Sequence, residues 1–349
     1  MQQPSTRGAR LQYIDALRGI SILLVVLHHV INKMGPVMAH PSALAVRDTL
    51  ASFRLPLFFF LSGYFAYRAS DKWSRDKLKS VFSKKLQAQL LGTAVFASAY
   101  FYCFHQDIAG GLAAIGATRY WFAIALFQMF AIYILLMLCT RHARSDMFTW
   151  LLIAVTVIIY GIHLIITRDH YCIELCNEAD RAGWGKLSYY FPFFAFGILA
   201  RKAGYRLFRL IENRNFTLAL VSTFFISILF INDMDFSTTG KLLYLIPGFT
   251  GVLTLFALFY RSREYFDSDK RLPRLMAFTG RRTLDIYYLH YFFVPDLAFI
   301  PITFYLQNPV LPLLAIGLTA SCGIVALSLL LSATIRVSPR LSSFLFASK

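Results

Sequence analysis

The sequence predicts an all-α, polytopic integral membrane helix bundle of about ten transmembrane helices. The chain of 349 residues is 57% hydrophobic and only 15% charged, which is more apolar surface than a soluble protein of this length can bury. Apolar stretches of roughly 17–25 residues, each bounded by charged residues, recur along the chain and are typical of membrane-spanning helices. We therefore expect one membrane domain over residues 1–349, with a transmembrane core at about 16–335 and a short cytoplasmic tail at 336–349.

Length and flanking charge place the spans along the chain. In order, they are 16–34, 50–67, 86–104, 120–140, 147–167, 188–201, 215–232, 242–260, 283–305 and 310–335. The sixth is short and contains Pro192, so its ends are the least defined. The polar N-terminus leads into the first span without a small-residue cleavage site, so we expect the first helix to remain as a signal anchor.

Basic residues concentrate in alternate loops, and this alternation gives the orientation. The N-terminus, the even-numbered loops and the C-terminus are rich in Lys and Arg, whereas the other loops are near-neutral or acidic. The second loop contains Arg68, Lys72, Arg75, Lys77, Lys79, Lys84 and Lys85. By the positive-inside rule, both termini are cytoplasmic. Topology thus accounts for the net charge of +17, and we expect no nucleic-acid partner.

The cysteine pattern does not predict a disulfide framework. Three cysteines lie within or at the ends of apolar spans, where we expect packing roles: Cys103, Cys139 and Cys322. Cys172 and Cys176 share a loop, and a bridge between them stays open. Their spacing, even with His170 nearby, is poor for a metal site, so we expect no metal.

The first span carries four ionisable residues, Asp15, Arg18, His28 and His29. Each such group costs at least ~2.5 kcal/mol inside a bilayer, so a use for them is expected. Arg18 and His29 lie on one helical face about 16 Å apart, and Asp15 lies on the same stripe. His28 points about a quarter-turn away from that stripe and is expected to be a packing or hydrogen-bonding neighbour.

Each group has an ordinary structural explanation beside the functional one. An Asp15–Arg18 salt bridge would ease insertion, and His29 could be a hydrogen-bond partner between helices. Histidine is also the side chain best suited to take a proton from a hydroxyl near neutral pH. The residues alone leave these alternatives open.

Five segments together resemble the membrane acyltransferase-3 family, which includes bacterial O-antigen and exopolysaccharide O-acetyltransferases. They are IDALRGISILLVVLHHV in the first span, RLPLFFFLSGYF (54–65), YWFAIALF (120–127), YYFPFFAFGILARK (189–202) and LDIYYLHYFF (284–293). They occur in the family's order and extend over essentially the whole chain. Each segment alone is weak, but together they are specific.

The resemblance implies transfer of an acyl group from a cytoplasmic thioester to a hydroxyl of a cell-envelope carbohydrate or glycolipid. The expected donor is acetyl-CoA, with succinyl-CoA or another acyl-CoA as alternatives. His29 matches the family's essential His and is either a general base or an acylated nucleophile. Arg18 matches its essential Arg and would bind the donor's phosphates or stabilise developing charge. Asp15 would orient Arg18 as a second catalytic residue. The expected location is the bacterial cytoplasmic (inner) membrane.

The remaining site candidates are donor- or substrate-binding residues. Arg54 is a further cation within a span, although it could be an interfacial residue that snorkels. Ser62 precedes Gly63, and packing there is at least as plausible as chemistry. Trp121 would line an entrance or belong to an aromatic belt. We expect His290 in the cytoplasmic half, as a donor-site or structural residue.

One segment departs from the family. Where many members carry an Arg-x-x-Arg pair after the second helix, this chain has Lys84 and Lys85, followed by Gln87 and Gln89. Lysines attract CoA phosphates as point charges but lack the bidentate fork of arginine. The residue-level donor site, and the identity of the acyl donor, are therefore open.

The alternative function is a transporter or flippase for a glycan or lipid-linked substrate, in which the charges mark a pathway and not a reaction. No inverted repeat is visible to favour it. The expected partners are a glycan or glycolipid acceptor and membrane lipids. The oligomeric state is open, and a homodimer is one alternative.

Overall fold

The computed structural model describes residues 11–35, 40–67, 74–141, 145–167, 178, 180–231, 238–297 and 310–346. Within these ranges the secondary structure is helical and contains no strand. Six helices there are long and apolar enough to cross a membrane: Gln12–Ile31, Pro41–Ala66, Trp121–Thr140, Asp146–Ile166, Thr238–Arg261 and Val310–Arg336. The prediction of an all-α membrane protein is confirmed, whereas the count of ten spans is not.

The helices are numbered here in chain order. They are α1 (Gln12–Ile31), α2 (Pro41–Ala66), α3 (Arg75–Lys85), α4 (Gly92–Cys103), α5 (Ile108–Ala113), α6 (Trp121–Thr140), α7 (Ser145–Ile166), α8 (Trp184–Ala203), α9 (Tyr205–Glu212), α10 (Arg214–Leu229), α11 (Thr238–Leu243), α12 (Leu245–Arg261), α13 (Arg263–Phe266), α14 (Arg271–Arg281), α15 (Thr283–Leu289), α16 (Val310–Arg336) and α17 (Pro339–Phe346). A π-helical segment, Leu86–Leu91, joins α3 to α4.

The ninth predicted span, 283–305, is not one continuous helix in the described residues. Helix α15 ends at Leu289, a 3₁₀ turn covers His290–Phe292, and the chain then leaves the helix. Pro295 explains the ending, because its ring disfavours helical geometry at the preceding residue and it has no N–H to donate. Residues 298–309 lie outside the described part of the chain.

Helix α1 occupies the interior of the bundle, where it packs against α2, α12, α14 and α16. Its most apolar 18-residue window is 72% buried, against 17% for α7. Gly19 on α1 and Gly280 on α14 allow backbone contact, since a Cβ at either position would overlap a carbonyl of the other helix. The polar stripe of α1 therefore faces protein and not lipid.

Helices α2 and α8 also cross at backbone contact. A Cβ on Gly63 would overlap the Phe194 carbonyl, and one on Gly197 would overlap the Phe60 carbonyl. The close approach that the Ser62-Gly63 pair suggests is therefore present. This crossing holds α2 in place beneath the site described below.

The predicted packing role of three cysteines is wrong. Cys103, Cys139 and Cys322 are free thiols with exposed side chains, on helices whose outer faces are apolar. Apolar periodicity places a small residue in a span but does not say which face it occupies. The loop residues His170, Cys172 and Cys176 lie outside the described residues.

Candidate active site

Two adjoining cavities lie between the described helices, one of about 900 Å³ and one of about 70 Å³. Phe58, Phe122 and Tyr287 line both cavities and form an aromatic wall between them. The ring centroids of Phe58 and Phe122 are 4.9 Å apart, and those of Phe122 and Tyr287 are 5.3 Å apart. A group that passes between the cavities must pass these three rings.

The small cavity is called here the His29 chamber. Its lining consists of Ile22, Val25, His29, Arg54, Leu55, Phe58, Trp121, Phe122, Tyr287 and Tyr291. Apart from the imidazole of His29, the guanidinium of Arg54 and the phenol hydroxyls of Tyr287 and Tyr291, this lining is aliphatic or aromatic. An apolar lining of this kind strengthens electrostatic interactions among the groups that it surrounds.

The large cavity is called here the basic cavity. Its cationic lining comes from α1, α3 and α8 and comprises Arg18, Lys77, Lys84, Lys85 and Arg201. Lys84 and Lys85 were predicted, whereas Lys77 and Arg201 were not singled out. Lys77 could have been found, because residues seven apart share a helical face and Lys84 follows it at that spacing. Arg201 comes from a distant helix, and no local pattern indicates its position.

The imidazole of His29 is held from one side by Tyr291. The Tyr291 hydroxyl donates to the Arg119 carbonyl oxygen at 2.8 Å, and its oxygen lies 3.3 Å from Nε2 of His29. A phenol has one proton, so Nε2–H of His29 donates to the phenol oxygen. The lone pair then resides on Nδ1, which makes no hydrogen bond to a described residue and is not among the buried unpartnered atoms. Nδ1 is thus the nitrogen that a substrate in the chamber can reach.

His290 lies directly beside His29, with ring centroids 5.4 Å apart. It is fully buried and lines neither cavity. Its Nδ1 donates to the Ile286 carbonyl oxygen at 2.9 Å, since a carbonyl can only accept. Helix α15, which precedes His290, begins at the level of Arg18, since Arg18 bonds to Thr283, and the place of His290 in the cytoplasmic half stays a prediction. His290 is thus a direct neighbour of His29, and its role at a donor site stays a prediction.

Arg18 and Asp15 form the predicted pair, but in the basic cavity. Nη1 of Arg18 is 3.8 Å from Oδ1 of Asp15, and Nη2 donates to Oγ1 of Thr283 at 3.0 Å. Both side chains line the basic cavity and neither lines the His29 chamber. Asp15 is therefore placed to orient Arg18 and lies apart from the residues around His29.

Ser62 and Trp121 lie in different cavities. Ser62 lines the basic cavity, and its hydroxyl donates to the Phe58 carbonyl oxygen at 2.9 Å, which is the back-bonding of an ordinary helical serine. Trp121 lines the His29 chamber and stacks on Tyr190 with ring centroids 5.6 Å apart. It therefore belongs to the chamber wall, which favours the interpretation of Trp121 as a lining residue.

Arg54 also lines the His29 chamber, and the snorkelling interpretation is wrong. Only 8% of the residue is exposed, and its Nε has no hydrogen-bond partner. The predicted span began at residue 50 and put Arg54 near its end, whereas α2 begins at Pro41 and Arg54 lies near its middle, facing inward. In the chamber, His29 of α1 is thus accompanied by a buried arginine from α2.

The fold and the two cavities define a multi-pass membrane protein with a buried histidine chamber behind a cationic cavity. A family model described as an acyltransferase domain, that of acyltransferase-3, matches residues 11–335. This match covers nearly the whole chain, and the chain belongs to the membrane acyltransferase-3 family. It is an acyltransferase. No curated protein and no solved structure matched the chain.

Proposed function

We propose that this enzyme transfers an acyl group, acetyl from acetyl-CoA in the first place, to a hydroxyl of a cell-envelope carbohydrate or glycolipid. The observation that carries the proposal is the adjacency of the two cavities. A large basic cavity suits the phosphates of a CoA thioester, and a small chamber with His29 suits the reacting groups. The three rings of the aromatic wall are then where the thioester enters the chamber.

The donor would lie in the basic cavity with its phosphates among the cations of α1, α3 and α8. Lys77, Lys84 and Lys85 provide point charges, and Arg18 and Arg201 provide planar guanidinium groups. These two arginines supply the bidentate geometry that the lysine pair lacks at the place of the family's Arg-x-x-Arg. Lys85 is further positioned by the Phe130 ring, whose centroid is 3.8 Å from its Nζ.

In the reaction, Nδ1 of His29 takes the proton of the acceptor hydroxyl as its oxygen attacks the thioester carbonyl carbon. The C–O bond forms and the C–S bond breaks, and the departing CoA sulfur receives the proton back from His29. Tyr291 keeps the other nitrogen engaged, so that the basic nitrogen faces the acceptor throughout. Atoms and charge balance without a further reactant.

The basic cavity would face the cytoplasm. Its lysines belong to the second loop and its Arg201 to the sixth, both of which the positive-inside rule assigns to the cytoplasm. His29 lies about three turns further along α1 than Arg18, toward the opposite face. This arrangement supports an inner-membrane enzyme with both termini inside, which takes its donor from one face and its acceptor from the other.

Release of free CoA from acetyl-CoA by the purified protein, in the presence of envelope glycans, tests the proposal. His29→Ala is expected to lower the rate at least about 100-fold, as loss of a general base does. His28→Ala is the matched control, because His28 adjoins His29 in sequence but lines neither cavity, and it is expected to keep most of the rate. Equal rates for wild type and His29→Ala would refute the assignment, and a transporter would release no CoA at all.

A further inference from the structure

Arg54 is a buried cation without an acceptor for its charge in the described part of the chain. Only 8% of the residue is exposed. Its Nε is fully buried and unpartnered, and none of its nitrogens donates a hydrogen bond to a described residue. The side chain lines the His29 chamber.

The groups around Arg54 do not neutralise it. The titratable groups that interact with it electrostatically are three phenols, those of Tyr190, Tyr244 and Tyr291, and two histidines of α1. The hydroxyl of Tyr291 already donates to the Arg119 carbonyl. Phenols are uncharged near neutral pH, so they do not supply a negative charge.

The carboxylate on the same helix as Arg54, that of Asp48, pairs with a different arginine. Asp48 accepts from Nε of Arg47 at 2.8 Å and pairs with its Nη2 at 2.8 Å. Helix α2 therefore carries one arginine with a counter-charge and one, Arg54, without.

An uncompensated guanidinium inside a protein is unfavourable, because the charge loses its water and gains no partner. An apolar residue of similar length would fill the same space without this cost. A buried arginine that faces a cavity is instead suited to a visiting anion, since its planar fork matches carboxylate and phosphate. The chamber is small, about 70 Å³, which is room for roughly five waters, so the visiting group is compact.

We infer that Arg54 binds an anionic group, a carboxylate or a phosphate, that a substrate carries into the His29 chamber. This inference rests on the proposed function and adds the chemical class of the substrate. The anion has two sources: an acidic unit of the acceptor glycan, or a dicarboxylic acyl group of the donor, such as succinyl. Both would place a negative charge beside the reacting hydroxyl.

Binding of matched neutral and anionic probes to the purified full-length protein tests the inference. One pair is methyl β-glucoside and methyl β-glucuronide, and the other is acetyl-CoA and succinyl-CoA. Dissociation constants are measured for wild type, Arg54→Gln and Arg54→Lys. Arg47→Gln is the matched control, since Arg47 lies on the same helix and does not line the chamber. CoA release is recorded in parallel.

We expect at least a tenfold preference for the anionic member of one pair in the wild type and in Arg47→Gln. Arg54→Gln should reduce this preference to within about twofold, and Arg54→Lys should retain part of it. The pair that shows the effect names the source of the anion. Absence of a preference in both pairs, or the same preference in Arg54→Gln, would overturn the inference.

The kinetic record separates this inference from the proposed function. If anion binding depends on Arg54 but no CoA is released, the acyl-transfer proposal fails and the anion site stands. If CoA is released and Arg54→Gln slows anionic and neutral substrates equally, the anion site fails and acyl transfer stands.

Discussion

Tyr291 and His29 are 262 residues apart in the sequence, yet one hydrogen bond between them selects which imidazole nitrogen is basic. The Arg119 carbonyl takes the only proton of the phenol, so the phenol oxygen is an acceptor for Nε2–H. Second partners of this kind commonly fix the tautomer and the orientation of a reactive histidine. Tyr291 is accordingly a positioning residue for the proposed base.

Tyr291→Phe should separate positioning from packing, because it keeps the ring and removes only the hydroxyl. We expect kcat for CoA release to fall about 10- to 100-fold while KM for the donor stays near the wild-type value. Tyr100→Phe is the control: its ring lies 6.4 Å from that of Tyr291, and it does not line the chamber. A wild-type kcat for Tyr291→Phe would contradict the assignment of the basic nitrogen.

At this scale the sequence predicted what helical periodicity can show. Arg18 and His29 recur on one stripe of α1, and the structure places them in two adjoining cavities. The sequence alone did not indicate the roles of Tyr291, Lys77 and Arg201, because each reaches its cavity through contacts between distant segments. Arg54 was predicted at the start of the second span, whereas α2 begins at Pro41 and Arg54 lies near its middle. Its environment was also missed, since a single span has no signal for which face meets the bundle.

At the scale of elements, two helix crossings determine the site. The α1–α14 crossing at Gly19 and Gly280 and the α2–α8 crossing at Gly63 and Gly197 bring backbones into contact. Helix α2 carries Arg54, Phe58 and Ser62, so a shift of its crossing would move both cavities. The glycines are therefore expected to be needed for stability and for geometry together.

Gly63→Ala tests the second crossing. The added Cβ would overlap the Phe194 carbonyl oxygen, so we expect a loss of about 1–3 kcal/mol of stability, seen as a lower Tm in detergent. Gly161→Ala on α7 is the control, since nothing lies within 4 Å of its Cβ position. That control should be neutral or slightly stabilising. Equal Tm values for both variants would show that the crossing tolerates a side chain.

The α15 segment shows why spans alone do not define elements. Asp285 at its start accepts from Nε and Nη2 of Arg336 at 2.9 and 3.0 Å and from Ser332 at 2.5 Å. These contacts join a short helix to the end of α16, far along the chain. Hydropathy indicated only one long apolar stretch at 283–305. Pro295 and these polar contacts determine where helix α15 ends.

At the scale of the whole molecule, the two cavities follow one another along the axis of α1. The cations of the basic cavity come from α1, α3 and α8, at the end of the bundle where α1 begins. The His29 chamber lies toward the end of α1, behind the aromatic wall. The sequence predicted the membrane fold from composition, because the bilayer imposes that pattern directly. The cytoplasmic side of the basic loops stays a prediction. The sequence could not predict the cavities, which arise only when separate helices pack.

Acyl transfer across sealed membrane vesicles tests the central claim most directly. Radiolabelled acetyl-CoA does not cross a bilayer unaided, so with the proposed orientation it would reach the basic cavity only in vesicles that expose the cytoplasmic face. Inside-out vesicles with the wild-type protein should incorporate label into envelope glycan, whereas right-side-out vesicles and inside-out vesicles with His29→Ala should not. Labelling of right-side-out vesicles at the same rate, or undiminished labelling with His29→Ala, would contradict the account.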